Sequence, residues 1–342
     1  MKRKILVTGG AGFIGSNFIR YILENTDYDI VNVDALTYAG NLENLEGTID
    51  GLRHKFILCD ICNKELLGRV FDENEFDGII NFAAESHVDR SILDPGVFID
   101  TNVKGTLNLL QISQMKKIER FHQVSTDEVY GELENSLQPA FTEESPVKPN
   151  SPYAASKAAA DMLVLAFSRT YGQNVIITRC SNNYGPYQFP EKLIPLIIYR
   201  AMREEKLPVY GDGMNIRDWI HVEDHSRGIL LAFEKGGKNE IYNLGSRNEK
   251  TNISLIKEIL SILGKSEKLI EFVNDRPGHD RRYAIDSSKA ERELAFFPKH
   301  EFSKSLKNTI EWYMSNEKWV EHCITGEYRE YYEKNYKPKA VK

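Results

Sequence analysis

Cysteine, long apolar runs and surplus positive charge are all scarce in this sequence of 342 residues. Its four cysteines, Cys59, Cys62, Cys180 and Cys323, are too few to cross-link so long a chain, and unpaired thiols are typical of a reducing compartment. Cys59 and Cys62 form a CxxC pair, but no second pair follows at zinc spacing. The sequence therefore predicts a cytoplasmic protein without a metal site.

Charge and hydropathy exclude two classes of partner. The formal net charge is -6, so no overall positive field would attract nucleic acid. Nowhere do about 18 apolar residues follow one another, as a bilayer-crossing helix requires. Residues 1–8 lack the long apolar core of a secretory signal. We therefore expect neither a nucleic-acid partner nor a membrane partner, and any bound phosphate must be held by a local site.

Short apolar runs alternate with helix-like stretches through the first half of the chain. The runs cover residues 5–8, 30–33, 55–58, 78–82, 121–124 and 175–178. This alternation predicts an α/β fold, a Rossmann-type doubly wound parallel sheet that binds NAD within residues 1–180. After Arg179 prolines and aromatic residues become frequent, which predicts a smaller C-terminal α/β domain over residues 181–342. A helix-like stretch at 222–234 and a strand-like stretch at 240–244 could rejoin the first core.

A glycine-rich turn joins the first predicted strand to the first helix. Gly9, Gly12 and Gly15 form a GxxGxxG pattern, which allows a tight turn and a close approach of backbone amides to a pyrophosphate. The second strand ends in Asp34, 19 residues after Gly15, where a carboxylate binds a ribose 2′-hydroxyl and repels a 2′-phosphate. NAD is the predicted cofactor. Its predicted contacts here are Gly9, Gly12, Phe13, Ile14, Gly15, Asp34, Ala35, Leu36 and Thr37, with Asp60 and Ile61 after the third strand.

Tyr153 and Lys157 lie at positions i and i+4 of a predicted helix that Ser151 caps and Pro152 opens. A tyrosine that acts as a base near pH 7 must lose ~3 units from its free pKa of ~10, which is about 4 kcal/mol. One ammonium ~4 Å away supplies energy of that order. We therefore expect Lys157, helped by the helix N-terminus and by the positive nicotinamide ring of NAD, to lower the pKa of Tyr153.

Thr126, Asp127 and Glu128 follow the predicted strand at 121–124. The carboxyl ends of parallel strands are where open α/β folds bind ligands. Redox chemistry alone needs a hydroxyl at this place, whereas two adjacent acids indicate proton transfers beyond simple oxidation. Together with Tyr153 and Lys157, these residues form the candidate catalytic set.

The motifs at residues 8–15 and 153–157 resemble those of the extended short-chain dehydrogenase/reductases, and the resemblance covers essentially the whole chain. Four further blocks, at residues 83–89, 181–186, 189–195 and 275–280, look like the dTDP-glucose 4,6-dehydratases of that family. The resemblance implies an NAD-dependent hydro-lyase that converts dTDP-glucose into dTDP-4-keto-6-deoxyglucose. A UDP-glucose 4,6-dehydratase and a sugar-nucleotide 4-epimerase are the alternatives, but an epimerase has no use for the two acids.

The resemblance also implies a role for each catalytic group. Tyr153 takes the proton of the C4 hydroxyl while NAD takes the C4 hydride, and Thr126 hydrogen-bonds to the same oxygen. Glu128 then removes the C5 proton and Asp127 protonates the departing C6 hydroxyl, after which NADH returns the hydride to C6. The sequence alone does not orient either carboxylate, so acid and base could be exchanged.

The remaining contacts are implied by resemblance and by the geometry of arginine. Guanidinium forks match phosphate oxygens, so Arg217, Arg276, Arg281 and Arg282 are candidates for the diphosphate. The other implied substrate contacts are Ser86, His87, Thr126, Asn182, Lys192, Leu193, Pro208, Val209, Tyr210, Asn252 and His279. Ala83, Ala84, Ser86, Thr101, Tyr153, Lys157 and Asn183 are implied at the cofactor. Apolar stripes at 95–116 and 152–171 predict a homodimer, because the equivalent helices pair across a dimer in relatives.

Overall fold

The computed structural model describes residues 2–135, 137–275 and 278–326. The strands within these ranges are β1 Lys4–Thr8, β2 Asp29–Asp34, β3 His54–Leu58, β4 Gly78–Asn81, β5 Arg120–Thr126, β6 Val175–Cys180, β7 Asn182–Tyr184, β8 Leu207–Tyr210, β9 Ile216–His221, β10 Glu240–Leu244, β11 Glu249–Thr251 and β12 Ile270–Val273. The α-helices are α1 Phe13–Asn25, α2 Lys64–Asp72, α3 Val88–Leu93, α4 Pro95–Phe98, α5 Thr106–Met115, α6 Pro152–Tyr171, α7 Leu193–Met202, α8 Val222–Lys235, α9 Asn252–Leu263, α10 Ser288–Leu294, α11 Phe302–Ser315 and α12 Glu317–Thr325. A π-helical segment, Ile99–Gly105, joins α4 to α5.

Seven strands form one parallel sheet in the order β10-β6-β5-β4-β1-β2-β3. From β1 the chain moves outward through β2 and β3, then returns to β4 on the other side of β1 and continues to β5 and β6. This reversal is the switch point of a doubly wound sheet, whose crevice at the carboxyl ends binds ligands. The predicted Rossmann-type fold is confirmed.

Apolar side chains cover both faces of this sheet. Ile5 and Val7 of β1 pack in one buried cluster with α1, α8 and α10, whereas Leu6 packs in another with α2, α5 and α6. Successive strand residues point to opposite faces, so a strand covered on both sides is apolar throughout rather than alternating. This double burial explains the short continuous apolar runs of the first half of the sequence.

The rest of the chain forms a second lobe with its own apolar core. β7, β9 and β11 form a three-stranded sheet, β8 and β12 form a parallel pair, and α7, α9, α11 and α12 pack around them. The helix-like and strand-like stretches at 222–234 and 240–244 are α8 and β10, which return to the first lobe, where β10 pairs with β6. None of the helices in the described ranges combines the length and apolar character that a bilayer crossing requires.

His300, in the loop before α11, connects the second lobe to the start of α8. Its Nδ1 lies 3.0 Å from Oδ2 of Asp224, its Nε2 lies 3.6 Å from Oε2 of Glu223, and its ring stacks on that of His221 with centroids 4.1 Å apart. The hydrogen bonds with Asp224 and Glu223 raise the pKa of His300 to about 9. Burial lowers the pKa of His221 to about 4. At neutral pH a charged imidazolium therefore joins the two lobes.

The same cluster is the one group of three possible metal ligands within the described ranges. One ligand atom each of His221, Glu223 and His300 lies within 4.8 Å of the others. The two imidazole rings stack with centroids 4.1 Å apart and an inclination of only 22°, so their in-plane lone pairs do not converge on one nearby point. Ion pairing around a protonated His300 accounts for the arrangement.

Replacing His300 by Gln is expected to lower the free energy of unfolding by roughly 2 kcal/mol at acidic pH, after allowance for partial exposure to solvent. The folded pKa of His300 lies above its unfolded value of 6.5, so this stabilisation is complete below pH 6.5 and disappears as the pH rises through about 9. Urea unfolding of both proteins at about pH 6 and about pH 10 measures the effect. A difference that stayed constant between these two pH values would contradict the assignment.

Candidate functional site

A cavity of about 320 Å³ lies at the carboxyl edge of the seven-stranded sheet. Its wall combines the glycine-rich turn after β1, the end of β2, the loops after β3 and β4, the turn after β5, the start of α6 and the segment between β6 and α7. The strand order reverses between β1 and β4, within this wall. The cavity therefore occupies the place where doubly wound sheets bind ligands.

Close packing explains the glycines of the turn after β1. Gly9 has φ of +70°, and a Cβ there would lie 2.6 Å from the backbone nitrogen of Ala83. A Cβ on Gly15 would lie 2.3 Å from the carbonyl oxygen of Gly9. Gly12 stands at the N-cap of α1, where no side chain of the described residues caps the helix, and Phe13 and Gly15 line the cavity. The start of α1 thus fits a pyrophosphate, which backbone amides and the helix dipole would bind.

Hydrogen bonds to the carboxylate of Asp34 join the end of β2 to this turn. Its Oδ2 accepts a hydrogen bond from the backbone nitrogen of Ala11 at 2.9 Å, and its Oδ1 accepts one from that of Leu36 at 2.8 Å. Asp34 also lines the cavity, where its carboxylate has lone pairs left for a ribose hydroxyl. Leu36 does not line the cavity, because its side chain packs against the first core. The side chain of Leu36 thus lies outside the cavity wall, although its neighbours Ala35 and Thr37 line it, and its cofactor contact stays a prediction.

All other predicted cofactor residues line the cavity. They are Gly9, Gly12, Phe13, Ile14, Gly15, Asp34, Ala35, Thr37, Asp60, Ile61, Ala83, Ala84, Ser86, Thr101, Tyr153, Lys157 and Asn183. The CxxC pair beside Asp60 has inert thiols, because burial raises the pKa of Cys59 and Cys62 to about 11.

Thr126, Asp127 and Glu128 lie together where β5 ends. The hydroxyl of Thr126 accepts a hydrogen bond from the backbone nitrogen of Glu128 at 3.3 Å and caps the short 3₁₀ turn Asp127–Tyr130. Asp127 is 2% exposed, and its Oδ2 has no hydrogen-bond partner in the described part of the chain. Burial, and then the negative charge of Glu128, raise the pKa of Asp127 well above its usual value. Burial therefore favours the protonated form of Asp127, and both acids line the cavity.

α6 begins as the sequence predicts, and it brings Tyr153 and Lys157 to the same wall. The hydroxyl of Ser151 accepts a hydrogen bond from the backbone nitrogen of Ala154 at 3.1 Å and caps the helix. The ammonium of Lys157 is buried and donates to the carbonyl oxygen of Val124 at 2.7 Å. The five candidate catalytic residues thus line one cavity.

Burial governs the pKa of Tyr153. Burial, and then the negative charge of Glu128, raise the pKa of Tyr153 well above 10, although a hydrogen bond with Thr126 lowers it. The predicted fall in this pKa, which also counts on the charge of bound NAD⁺, stays a prediction. Lys157 is itself desolvated, which lowers its own pKa. Desolvation outweighs the attraction that the sequence suggests.

Four of the predicted substrate residues line the cavity: Ser86, Thr126, Asn182 and Lys192. The ammonium of Lys192 donates to the carbonyl oxygen of Ser86 at 3.2 Å, which joins the loop after β4 to the segment before α7. His87 stands just behind this wall, with its Nε2 3.5 Å from Oε2 of the lining residue Glu191.

The other substrate predictions lie in the second lobe, outside the lining: Leu193, Pro208, Val209, Tyr210, Arg217, Asn252 and His279. The side chain of Val209 is buried in the second core, so only its backbone is free to meet a ligand. The ring of Tyr210 lies edge-on to that of His279, with centroids 6.0 Å apart. Arg276 lies outside the described residues.

The remaining arginines are held by groups of the chain itself. Arg281 forms a two-point contact with Asp212 at 2.9 and 3.1 Å. Arg282 forms another with Glu249 at 2.6 and 2.8 Å and also donates to two backbone carbonyls. The structure therefore argues against Arg281 and Arg282 as diphosphate ligands. Arg217 donates to the carbonyl oxygen of Asp280 at 2.9 Å, and its diphosphate role stays a prediction.

The sequence did not single out several residues of the wall. They include Tyr38, Glu85, Ser125, Cys180, Gln188, Phe189 and Glu191. Burial raises the pKa of the Glu191 carboxyl, although the charge of Lys192 and a hydrogen bond with Tyr38 lower it. Glu85 and Glu191 belong to the sequence blocks 83–89 and 189–195, so their position beside predicted contacts was the available signal.

Known proteins share this sequence and fold over nearly the full length. The family model described as GDP-mannose 4,6 dehydratase matches residues 6–309. A dTDP-glucose 4,6-dehydratase from Neisseria meningitidis serogroup B is 50% identical, over 96% of this chain and 98% of that protein. The crystal structure of dTDP-glucose 4,6-dehydratase from Bacillus anthracis in complex with NAD is 49% identical with a TM-score of 0.87, over 94% of this chain and 99% of that chain. The corresponding enzyme from Streptomyces venezuelae, also with NAD bound, is 47% identical with a TM-score of 0.90, over the same shares of 94% and 99%.

Proposed function

Because the chain belongs to the dTDP-glucose 4,6-dehydratases, within the family described as GDP-mannose 4,6 dehydratase, we propose that it converts dTDP-glucose into dTDP-4-keto-6-deoxyglucose. It is an NAD-dependent hydro-lyase of the extended short-chain dehydrogenase/reductase type. The observation that carries this proposal is the acid pair Asp127 and Glu128, which lines one cavity with Tyr153 and Lys157. A 4-epimerase would need only the second pair, and the relatives do not favour it.

The first half of the reaction depends on the glycine-rich turn and α6. Bound NAD⁺ supplies the oxidant, since it accepts a hydride from C4 and gives it back at C6. The start of α1 binds the pyrophosphate of the cofactor, and Asp34 binds its ribose. Tyr153 accepts the proton of the C4 hydroxyl, and Thr126 orients the same oxygen. Burial keeps Tyr153 protonated, so its role as the base depends on positive charge beside it, which Lys157, the start of α6 and the bound nicotinamide would supply together.

The second half removes water. The new C4 carbonyl acidifies the C5 hydrogen, which Glu128 takes as a base. Asp127 gives its proton to the C6 oxygen, the C6–O bond breaks, and water leaves. The raised pKa of Asp127 supports the acid role for this residue, because burial favours its protonated form, which has a proton to give.

The second lobe is the proposed binding site for the nucleotide of the substrate. We retain the division into an NAD-binding domain over residues 1–180 and a mainly sugar-nucleotide-binding domain over residues 181–342, with α8, β10 and α10 joining the first. Arg217, Tyr210 and His279 remain proposed substrate contacts at the face of this lobe. The free state of Cys59, Cys62, Cys180 and Cys323 supports a cytoplasmic location.

A homodimer is the proposed assembly. α3, α4 and the π-helical segment pack on α6, and they leave Leu93, Val97, Ile99 and Met162 exposed by 85%, 44%, 51% and 45%. Apolar side chains on adjoining helices would be covered by a second copy of the chain. Sedimentation of the protein and of a Leu93→Glu, Met162→Glu variant measures this, and an unmodified protein that sediments as a monomer would rule it out.

Incubation with dTDP-glucose and NAD tests the reaction directly. We expect a product with the near-ultraviolet absorbance of a 4-keto sugar in base, and no net change in NAD. Parallel incubations with UDP-glucose and CDP-glucose test the base, for which the methyl of thymine is worth ~1 to 3 kcal/mol of discrimination. Formation of a 4-epimer without a keto product would overturn the proposed reaction.

A further inference from the structure

Two fully buried charges lie beneath the cavity. Nε of Arg179 on β6 is 3.0 Å from Oδ2 of Asp161 on α6, and these side chains are 1% and 0% exposed. Neither residue lines the cavity. A buried ion pair is weak evidence for stability, because desolvation offsets most of the attraction between the charges. The position of this ion pair between α6 and β6 therefore needs an explanation other than stability.

Asp161 acts on α6, the helix that carries Tyr153 and Lys157. Tyr153, Lys157 and Asp161 stand at i, i+4 and i+8 of α6, on one face. Burial lowers the pKa of Lys157, and the negative charge of Asp161 is the largest influence in the opposite direction. Asp161 therefore helps to keep the buried ammonium charged.

Arg179 acts on the turn that carries the two acids. Its guanidinium carbon lies 4.7 Å from the centroid of the Tyr130 ring, and Tyr130 closes the turn Asp127–Tyr130. The hydroxyl of Tyr130 donates to Oδ1 of Asn243 at 2.9 Å, and Asn243 is the register partner of Arg179 on β10. The turn Asp127–Tyr130 thus packs on the guanidinium of Arg179 and is hydrogen-bonded, through Tyr130, to β10.

We propose that Asp161 and Arg179 are a positioning pair that holds the Tyr153 helix and the Asp127–Tyr130 turn in fixed relation. The inference rests on the proposed function, in which one bound sugar meets Tyr153 first and the two acids next. Both steps require the reacting atoms to be close and aligned. A residue pair that joins α6 to the turn Asp127–Tyr130 therefore serves both steps. Asp161 and Arg179 touch neither the cavity nor the reacting atoms, and they act through Lys157 and Tyr130.

The test compares Asp161→Asn, Arg179→Met and the double variant. Each single variant leaves one buried charge without its partner and is expected to unfold more readily. The double variant removes both charges and is expected to recover the urea midpoint. Its kcat is nevertheless expected to stay ~10- to 100-fold below that of the unmodified enzyme, with KM changed less than ~3-fold, because alignment is lost while binding is kept. Hydrogen exchange of the backbone at residues 127–131 should be faster in the double variant.

An exposed ion pair supplies the matched control. Glu65 and Arg69 of α2 also form an acid–arginine contact, with side chains 81% and 66% exposed, and the Glu65→Gln, Arg69→Met double variant should keep both kcat and the exchange rates. A folded Asp161→Asn, Arg179→Met protein with unchanged kcat and unchanged exchange would overturn the positioning role. Failure of the unmodified protein to convert dTDP-glucose would instead overturn the proposed function, and the exchange experiment would then decide the positioning role by itself.

Discussion

The double variant Asp127→Asn, Glu128→Gln is expected to oxidise its substrate at C4 yet lose 4-keto-6-deoxy product formation by about 10³-fold or more. Tyr153, Thr126 and Lys157 remain in place, so the first half of the reaction keeps its groups. The amides can neither take the C5 proton nor protonate the C6 oxygen. Single-turnover measurements of NADH absorbance and of keto-sugar product separate the two halves.

The single variants distinguish acid from base. Glu128→Gln should abolish exchange of the C5 hydrogen with solvent deuterium, whereas Asp127→Asn should keep that exchange and lose only water release. A carboxyl whose pKa is higher in the fold than in the unfolded chain costs stability once the pH exceeds its unfolded pKa. Asp127→Asn is therefore expected to unfold at the same urea concentration as the unmodified protein or at a higher one.

The chain offers a matched control for the acid pair. Asp72 and Glu73 are also adjacent acids, but they lie exposed at the end of α2. Their exchange for Asn and Gln should change neither half of the reaction. Product formation at the original rate by the Asp127→Asn, Glu128→Gln protein would contradict the roles given to the two acids.

Tyr153→Phe is expected to lower both NADH formation and product formation by about 10³-fold, because no other group accepts the C4 hydroxyl proton. The ring of Tyr153 packs edge-on to Phe98 with centroids 6.3 Å apart, and phenylalanine preserves that contact. NAD binding and the urea midpoint should therefore stay close to those of the unmodified protein.

Tyr171→Phe is the control for this variant, since Tyr171 ends the same helix and is 56% exposed. It should react at the unmodified rate. If Tyr153→Phe oxidised C4 at an undiminished rate, another base would have to be sought in the cavity wall.

Much of the fold follows from local pattern in the sequence. The strands lie where the apolar runs predict them, and the glycine turn and Asp34 meet at the cavity because strand ends converge at one edge of the sheet. α6 begins at Pro152, as the capping residues indicate. These features depend on periodicity and on backbone geometry, which short segments of sequence carry by themselves.

The sequence could not show effects that depend on the tertiary environment. From the sequence Arg282 was a candidate phosphate ligand. In the structure two nitrogens of its guanidinium donate to the carboxylate of Glu249, a residue distant in sequence. The pKa of Tyr153 depends on how deeply the folded chain buries it. The Asp161–Arg179 pair was missed, although an acid four residues after Lys157 and an arginine inside an apolar strand were signals of it. Burial and pairing of charges arise only when distant segments meet.

The return of β10 to the edge of the sheet has a consequence for synthesis of the chain. Until residues 240–244 have left the ribosome, β6 remains an open edge, and the apolar face of α1 lacks the cover that α8 provides. β11, α9, β12, α11 and α12 of the second lobe follow later still. While the segment between β6 and β10 is being synthesised, the edge strand β6 is therefore exposed and can pair with other chains. A chaperone that binds unfolded chains would matter most during this interval.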